Sequence, residues 1–153
     1  QDCANKFAGS EAVFGSSTIH PIPDIANADC LLVFGANPRV SHMSFVSIAD
    51  PMRELRAAVK RGAKVYYVNP RRVESVEAGG GDWIPIRPDT DVYLLAALLE
   101  EIDREPGFER GVDAERAAHL DGLRAFVRRY PAERVAPARS RLPVTNESMW
   151  SSQ

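Results

Sequence analysis

The sequence predicts an α/β fold, a Rossmann-like three-layer domain with a mostly parallel sheet and flanking helices. Three apolar runs, residues 30–34, 63–68 and 83–86, predict the strands, and each leads into a short polar loop. A helix with well-marked ends separates the first two runs. A strand, a helix and a strand within about 40 residues form a βαβ unit, whose crossover is right-handed in nearly all known proteins.

Composition indicates one soluble globular domain. The chain has 153 residues, of which 44% are hydrophobic and 26% charged, values ordinary for a domain with a real core. Its 19 basic and 21 acidic residues are well mixed and give a net charge of −2, which argues against a nucleic-acid partner. No run approaches the ~18 apolar residues of a membrane helix, and no targeting signal is evident.

The first predicted strand follows an N-terminal segment with little hydrophobic periodicity. Residues 1–28 predict an irregular or partly helical lead-in, because periodicity is weak and glycines and prolines recur. Cys30–Phe34 is a continuous apolar run closed by Gly35, which predicts a strand buried on both faces, with Cys30 acting as a small buried hydrophobe. Cys3 could be a ligand, a nucleophile or an ordinary loop thiol, and we favour the ordinary thiol.

Local signals place the helices. Asp50 can cap a helix whose first residue is Pro51, and Gly62 ends it before the second strand. After the third strand, Asp89 or Thr90 caps a helix that runs to about residue 102 and is apolar nearly all round, so we expect it to be well buried.

The last part of the chain has one further predicted helix. Apolar residues near helical spacing predict an amphipathic helix over 113–129, stopped by Tyr130 and Pro131. From residue 137 no period persists, so we expect 137–153 to be a disordered or non-native tail. The predicted α/β domain therefore covers residues 29–136.

Polar residues gather where the three strands end, at the edge where open α/β sheets bind ligands. In the first junction, Asn37 offers an amide and Ser41 a hydroxyl toward phosphate or ribose, although a plain linking turn would use the same residues. In the second, Asn69 stands where nucleotide-binding units often place an acid on ribose, and Arg71 could clamp phosphate or simply be solvated. The third junction holds Asp89, Thr90 and Asp91 at a helix start, which capping alone explains.

Familiar motifs are missing from the sequence. No GxGxxG follows the first strand, no GxxxxGK[ST] occurs, and neither HExxH nor paired CxxC suggests zinc. We therefore assign no catalytic residue and no metal ligand in this chain.

Taken together, ADCLLVFGANPRVSH (28–42), RGAKVYYVNPRRVES (61–75) and DWIPIRPDTDVYLLAALL (82–99) resemble the molybdopterin oxidoreductase family in both order and spacing. The resemblance implies an internal domain of a larger enzyme that carries molybdenum or tungsten on molybdopterin guanine dinucleotide. It implies that these motifs line the site of one guanosine arm of the cofactor. The usual acid of the second motif is Asn69 here, and the usual glycine of the third is Asp89. The implied cofactor-binding residues are Gly35, Asn37, Pro38 and Ser41 near the phosphates, Asn69, Pro70 and Arg71 at the ribose, Asp89 and Thr90 in the third turn, and Asp91 at guanine.

The resemblance also implies parts outside this chain. Such enzymes hold an iron–sulfur cluster and a pterin-binding barrel in other segments, so the partners we expect are the remaining domains and an electron-transfer subunit. The sequence starts at Gln1 without methionine, which suggests an excised piece of a longer protein or a processed chain. The resemblance implies that this piece alone performs no redox step. The substrate and the compartment are left open, with the cytoplasm favoured.

Two other interpretations stay open at this point. Asn69 and Asp89 favour a scaffold domain that kept the fold and lost the ligand, as in the large iron–sulfur subunit of respiratory complex I. A central nucleotide-binding domain of a thiamine diphosphate enzyme also carries an apolar strand followed by glycine in a βαβ sheet, although the VNPRR and RPDTD loops argue against it.

Overall fold

A computed structural model describes residues 3–41, 48–106 and 120–135. The chain divides into two compact units, Gln1–Ile84 and Pro85–Gln153. The lead-in belongs to the first unit, where Ile25 is part of the core. The domain over 29–136 stays a prediction. The predicted tail, 137–153, lies outside the described residues.

The first unit is built on a three-stranded sheet in the order β1-β2-β3. The strands are β1 (Cys30–Phe34), β2 (Lys64–Asn69) and β3 (Asp82–Pro85), the last ending at the unit boundary. β1 and β2 pair in parallel, with Cys30 opposite Lys64 and Phe34 opposite Val68. The predicted α/β fold, with parallel strands and flanking helices, is confirmed.

The described part of the first unit has four helices: α1 (Ala4–Phe14), α2 (Pro38–Ser41), α3 (Pro51–Arg61) and α4 (Glu74–Gly79). α1 shows that the lead-in is partly helical. The predicted ends of α3 are confirmed: Asp50 Oδ1 accepts from the Arg53 amide at 3.0 Å, and Gly62 ends the helix at φ 103°.

The core of the first unit lies between the sheet and α3 and α4. Leu55, Val65, Tyr67 and Val76 are among its buried members. The Tyr67 hydroxyl is buried without a hydrogen-bond partner in the described part of the chain, and this burial raises the pKa of Tyr67. An added Cβ at Gly79 would lie 2.5 Å from this hydroxyl, so the ring fits only beneath a residue without a side chain.

The prediction that β1 is buried on both faces is wrong. Leu32 is 46% exposed and Cys30 is exposed, while only Val33 is buried. β1 is an edge strand of the sheet, and Cys30 and Leu32, which lie on the same face of the strand, are exposed. Apolar composition indicates that a strand can be buried, whereas the neighbouring elements decide whether it is.

The second unit contains α5 (Asp91–Arg104), α6 (Leu120–Val127) and α7 (Ala132–Val135). α6 lies within the helix predicted over 113–129, of which residues 113–119 are outside the described part. In the described ranges, no helix is both long and apolar enough to cross a membrane.

The prediction that α5 is well buried is wrong. Its buried residues are Ala96, Ala97 and Glu100, whereas Val92 and Leu95 are exposed. α6 and α7 are short and pack against α5, and among the described residues of this unit they do not cover the rest of its apolar surface. The buried carboxylate of Glu100 is balanced by Arg104, whose Nη2 lies 2.7 Å from Oε1.

Candidate functional site

The first junction turns sharply where β1 ends. Gly35 adopts φ 62° and its amide donates to the Val68 carbonyl at 2.9 Å, a left-handed conformation that glycine adopts without steric cost. The Asn37 carbonyl then accepts from the amides of Val40 at 2.9 Å and Ser41 at 3.0 Å, which starts α2. The Ser41 hydroxyl donates to the same carbonyl at 3.1 Å.

The Asn37 side chain joins this loop to α4. Its Oδ1 accepts from the Ser75 hydroxyl at 2.6 Å, and its Nδ2 donates to Glu74 Oε2 at 2.6 Å. Ser75 is fully buried and its Oγ also accepts from the Arg39 amide at 2.9 Å. Sequence reasoning missed Ser75 and Glu74, because contacts across 37 and 38 residues leave no local pattern.

Asn69 connects the second junction to the first. Its side chain is buried, and Nδ2 donates to the Ala36 carbonyl at 3.2 Å. Its backbone carbonyl accepts from Trp83 Nε1 at 2.9 Å, which ties β3 to the same point. A carboxylate cannot donate to a carbonyl, so the amide rather than an acid suits this position in the present chain.

Glu74 gathers the polar donors of both junctions. Arg71 meets it through two hydrogen bonds, Nη1 to Oε1 at 3.3 Å and Nη2 to Oε2 at 3.2 Å. Its Oε2 also accepts from Asn37. Arg72 pairs separately with Glu77, its Nε 2.8 Å from Oε1. The Glu74 carboxylate therefore accepts hydrogen bonds from Asn37, which was predicted to face the phosphates, and from Arg71, which was predicted to lie at the ribose.

These contacts keep Glu74 ionised. A hydrogen bond from its own backbone, followed by those from Arg71 and Asn37, lowers the pKa of Glu74 from 4.5 to about 2. A carboxyl group whose pKa is lower in the folded state stabilises the fold above its unfolded pKa, and this contribution is lost as the pH falls toward the folded value.

We therefore expect the stability of the wild-type chain to fall between about pH 5 and about pH 2 as Glu74 takes up its proton. The Glu74→Gln variant lacks this group and should not show that part of the loss. Chemical denaturation of both proteins at pH 6, 4 and 3 measures this difference, because the other carboxyl groups titrate in both. Because solvent screens this exposed pair, the wild type should be more stable by only a small margin at pH 6, and this margin should shrink at pH 3. An advantage unchanged across this range would contradict the assignment of the network to Glu74.

The third junction lies in the second unit. Asp89 adopts φ 63°, a left-handed conformation that asparagine and aspartate tolerate better than most residues. Thr90 is the N-cap residue of α5, but its hydroxyl donates to the Arg87 carbonyl at 2.7 Å and caps no helix amide. Asp91 is the first residue of α5.

The structure brings the first and second junctions together within the first unit, as the strand order predicted. Pro38 is buried and Pro70 is exposed beside Arg71. The residues so placed are Gly35, Asn37, Pro38, Ser41, Asn69, Pro70 and Arg71, whereas Asp89, Thr90 and Asp91 belong to the second unit.

The second unit also contains a cavity of about 380 Å³. Its walls are mostly apolar, with Leu94, Leu98 and Ala97 of α5 and the ring of Tyr130 among them. The rings of Tyr93 and Phe126 contact that of Tyr130 in tilted arrangements, with ring centroids 5.6 Å and 5.3 Å away. Such walls suit apolar groups, and the polar network of the first unit is the better candidate for an anionic ligand.

A parallel sheet with flanking helices and with polar loops at its strand ends defines an open α/β class of domain. Within this class, the family model for molybdopterin oxidoreductases matches residues 1–105, and the chain belongs to this family. Membership implies a pterin cofactor with molybdenum or tungsten.

Individual relatives agree with the family. Acetylene hydratase from Syntrophotalea acetylenica is 29% identical over 134 residues, which cover 88% of this chain and 17% of that protein. The alpha subunit of the F420-dependent formate dehydrogenase from Methanocaldococcus jannaschii is 29% identical over 127 residues, covering 82% of this chain and 18% of the subunit. The chain thus spans less than a fifth of the length of these two curated relatives.

A solved structure supports the same fold. Acetylene hydratase from Pelobacter acetylenicus superposes with a TM-score of 0.65 and 26% sequence identity. The match covers 89% of this chain and 18% of that protein chain. The similarity therefore extends over most of the present chain and a minor part of the larger molecule.

Proposed function

We propose that this chain binds one guanosine arm of molybdopterin guanine dinucleotide within a larger molybdenum- or tungsten-dependent oxidoreductase. The observation that carries the proposal is the donor set around Glu74. Arg71 and Asn37 together hold an oxyanion, the Glu74 carboxylate, at 2.6–3.3 Å. A site that orients donors around a carboxylate has the chemistry to hold a phosphate.

In this proposal the residues of the first unit hold the ribose and phosphates. Gly35 and Pro38 shape the loop, Asn37 and Ser41 offer polar contacts to the phosphates, and Arg71 supplies the positive charge. Asn69 and Pro70 lie at the ribose end. These assignments follow the family resemblance residue by residue, and the donor geometry of Asn37 and Arg71 supports them.

Asp91 is the proposed determinant of base identity. Its carboxylate can accept two hydrogen bonds from the amidine edge of guanine, an edge that adenine lacks. The side chain of Asp91 forms no hydrogen bond or ion pair with any residue in the described ranges. Asp89 and Thr90 shape the turn that leads into it.

The reaction chemistry would come from the cofactor, whose metal and pterin supply the redox step when bound. The protein contributes binding, orientation and electrostatics. We assign no catalytic residue to this chain, and we propose that it performs no redox step alone. The remaining domains, the iron–sulfur cluster and an electron-transfer subunit belong to the same proposal.

Isothermal titration of the chain with GDP and with ADP tests the proposal. We expect GDP to bind at least about tenfold more tightly, a difference of roughly 1.4 kcal/mol. The Asp91→Ala variant should lose this preference while keeping its helical circular dichroism. Equal affinity for the two nucleotides in the wild type would contradict recognition of guanine.

A second candidate function, a scaffold domain without a nucleotide, has one observation in its favour. The Asn69 amide already donates to the Ala36 carbonyl, so its nitrogen is engaged inside the protein. Failure of GDP and ADP alike to bind would favour the scaffold. The thiamine diphosphate alternative is set aside, because the chain belongs to the molybdopterin oxidoreductase family.

A further inference from the structure

The carboxylate of Glu74 lies where an anionic ligand would be expected. Its Oε2 is 2.6 Å from Asn37 Nδ2 and 3.2 Å from Arg71 Nη2, and its Oε1 is 3.3 Å from Arg71 Nη1. A phosphate oxygen offered to the same donors would compete for the same hydrogens. Both groups are negatively charged and cannot share these donors without repulsion.

We propose that Glu74 is an internal competitor for the diphosphate of the nucleotide, and that it sets how tightly Arg71 and Asn37 hold this group. The inference rests on the proposed function, since it concerns the same site. In the free chain Glu74 neutralises Arg71 and fixes the Asn37 amide. When the diphosphate binds, the Glu74 side chain leaves these donors and the ligand takes its place.

The exposure of the pair makes this exchange feasible. The side chains of Arg71 and Glu74 are 65% and 54% exposed, and an exposed ion pair contributes little net stability. Glu74 can therefore turn to solvent without leaving a buried charge. Asn37 stays in place when this happens, because the buried Ser75 hydroxyl still donates to its Oδ1.

Protonation does not remove the competitor under ordinary conditions. The contacts that lower the pKa of Glu74 to about 2 keep its carboxylate ionised at neutral pH. In the described ranges the charged side chain that contacts Glu74 is Arg71 of the preceding loop, while Arg39 of α2 and Arg56 of α3, on adjoining elements, make other contacts. Arg39 donates through its backbone to Ser75, and Arg56 donates to the Ala78 carbonyl at 3.3 Å, so neither replaces Arg71 as the partner of Glu74.

A matched control is available on the same helix. Glu77 also lies in the first turn of α4 and pairs with Arg72, at 2.6 Å from Nη2 to Oε1. Glu77→Gln removes the same charge from the same helix as Glu74→Gln, but it leaves the Asn37 and Arg71 donors untouched. Any effect of net charge alone should appear equally in both variants.

The test is GDP affinity of the wild-type, Glu74→Gln and Glu77→Gln chains, measured by isothermal titration at pH 7. We expect Glu74→Gln to bind GDP about tenfold more tightly than the wild type, and Glu77→Gln to change the affinity less than about twofold. Glutamine at position 74 keeps an oxygen that can accept from Asn37, so the fold should persist. Circular dichroism and thermal unfolding check that it does.

The other outcomes separate this inference from the proposed function. Unchanged or weaker GDP binding by Glu74→Gln would overturn the competitor role while leaving nucleotide binding in place, because Glu74 would then support its donors. An equal gain in GDP affinity in both variants would show that the loss of one negative charge explains the effect, and it would also overturn the inference. Absence of GDP binding by both the wild type and Glu74→Gln would overturn the proposed function and this inference together.

Discussion

Replacing Gly81 with alanine will lower the free energy of unfolding by about 3 kcal/mol, because the new side chain meets two separate costs. Gly81 adopts φ 113°, a backbone conformation that residues with a Cβ rarely take. An added Cβ would lie 2.5 Å from the Val65 carbonyl oxygen and 3.0 Å from Val65 Cβ. The carbonyl belongs to β2 and cannot rotate away as a flexible side chain could.

Gly62→Ala is the matched control for this prediction. Gly62 has φ 103°, close to that of Gly81, but an added Cβ there meets nothing within 4 Å. It should therefore cost only the backbone strain, about 1 kcal/mol. Urea denaturation followed by circular dichroism compares the two variants. Equal destabilisation would contradict the close approach of Gly81 to β2.

The second large effect is expected for Asn69→Asp, which should lower the free energy of unfolding by about 2 to 3 kcal/mol at neutral pH. The side chain is 5% exposed and its amide donates to the Ala36 carbonyl at 3.2 Å. A carboxylate would lose this hydrogen bond and place a buried negative charge against an oxygen. The acid typical of the family motif is therefore unfavourable in this chain without a ligand.

The pH dependence of the stability of Asn69→Asp separates the effect of the added charge from the effect of the lost hydrogen-bond donor. A protonated carboxyl group can donate to the Ala36 carbonyl, and burial beside this oxygen favours the neutral acid, so the deficit relative to the wild type should shrink as the pH falls from neutral toward about 4, the ordinary pKa of aspartate in an unfolded chain. Asn69→Ala removes the donor without adding a charge, and its deficit should not change with pH. A pH-independent deficit for Asn69→Asp would contradict the hydrogen bond to Ala36.

The bounds of helices and strands could be predicted from the sequence where the residues at their ends determine them. The ends of α3 follow from Asp50, Pro51 and Gly62, each of which acts on the residues beside it. The strands were placed to within one residue, because their apolar runs end at glycine or at polar loops. The meeting of the first two junctions followed from the parallel order of β1 and β2.

Properties that depend on distant residues could not be predicted in the same way. The exposure of Leu32 on β1 and of Leu95 on α5 depends on what covers those surfaces, and sequence periodicity carries no information on that. Glu74 looked like an unremarkable surface acid, since its contact with Asn37 spans 37 residues. The side-chain network that organises the candidate site is a product of the fold.

An NMR titration of the ¹⁵N-labelled chain with GDP is the most direct test of a guanosine site at the strand-end junctions. The side-chain amides of Asn37 and Asn69 give signals of their own, and both lie in the proposed site. We predict that GDP shifts the Asn37 side-chain signal and the backbone amides of residues 35–37 and 71–72. Shifts confined to the apolar cavity around Tyr93 and Tyr130, or no shift at millimolar GDP, would contradict a guanosine site at these junctions.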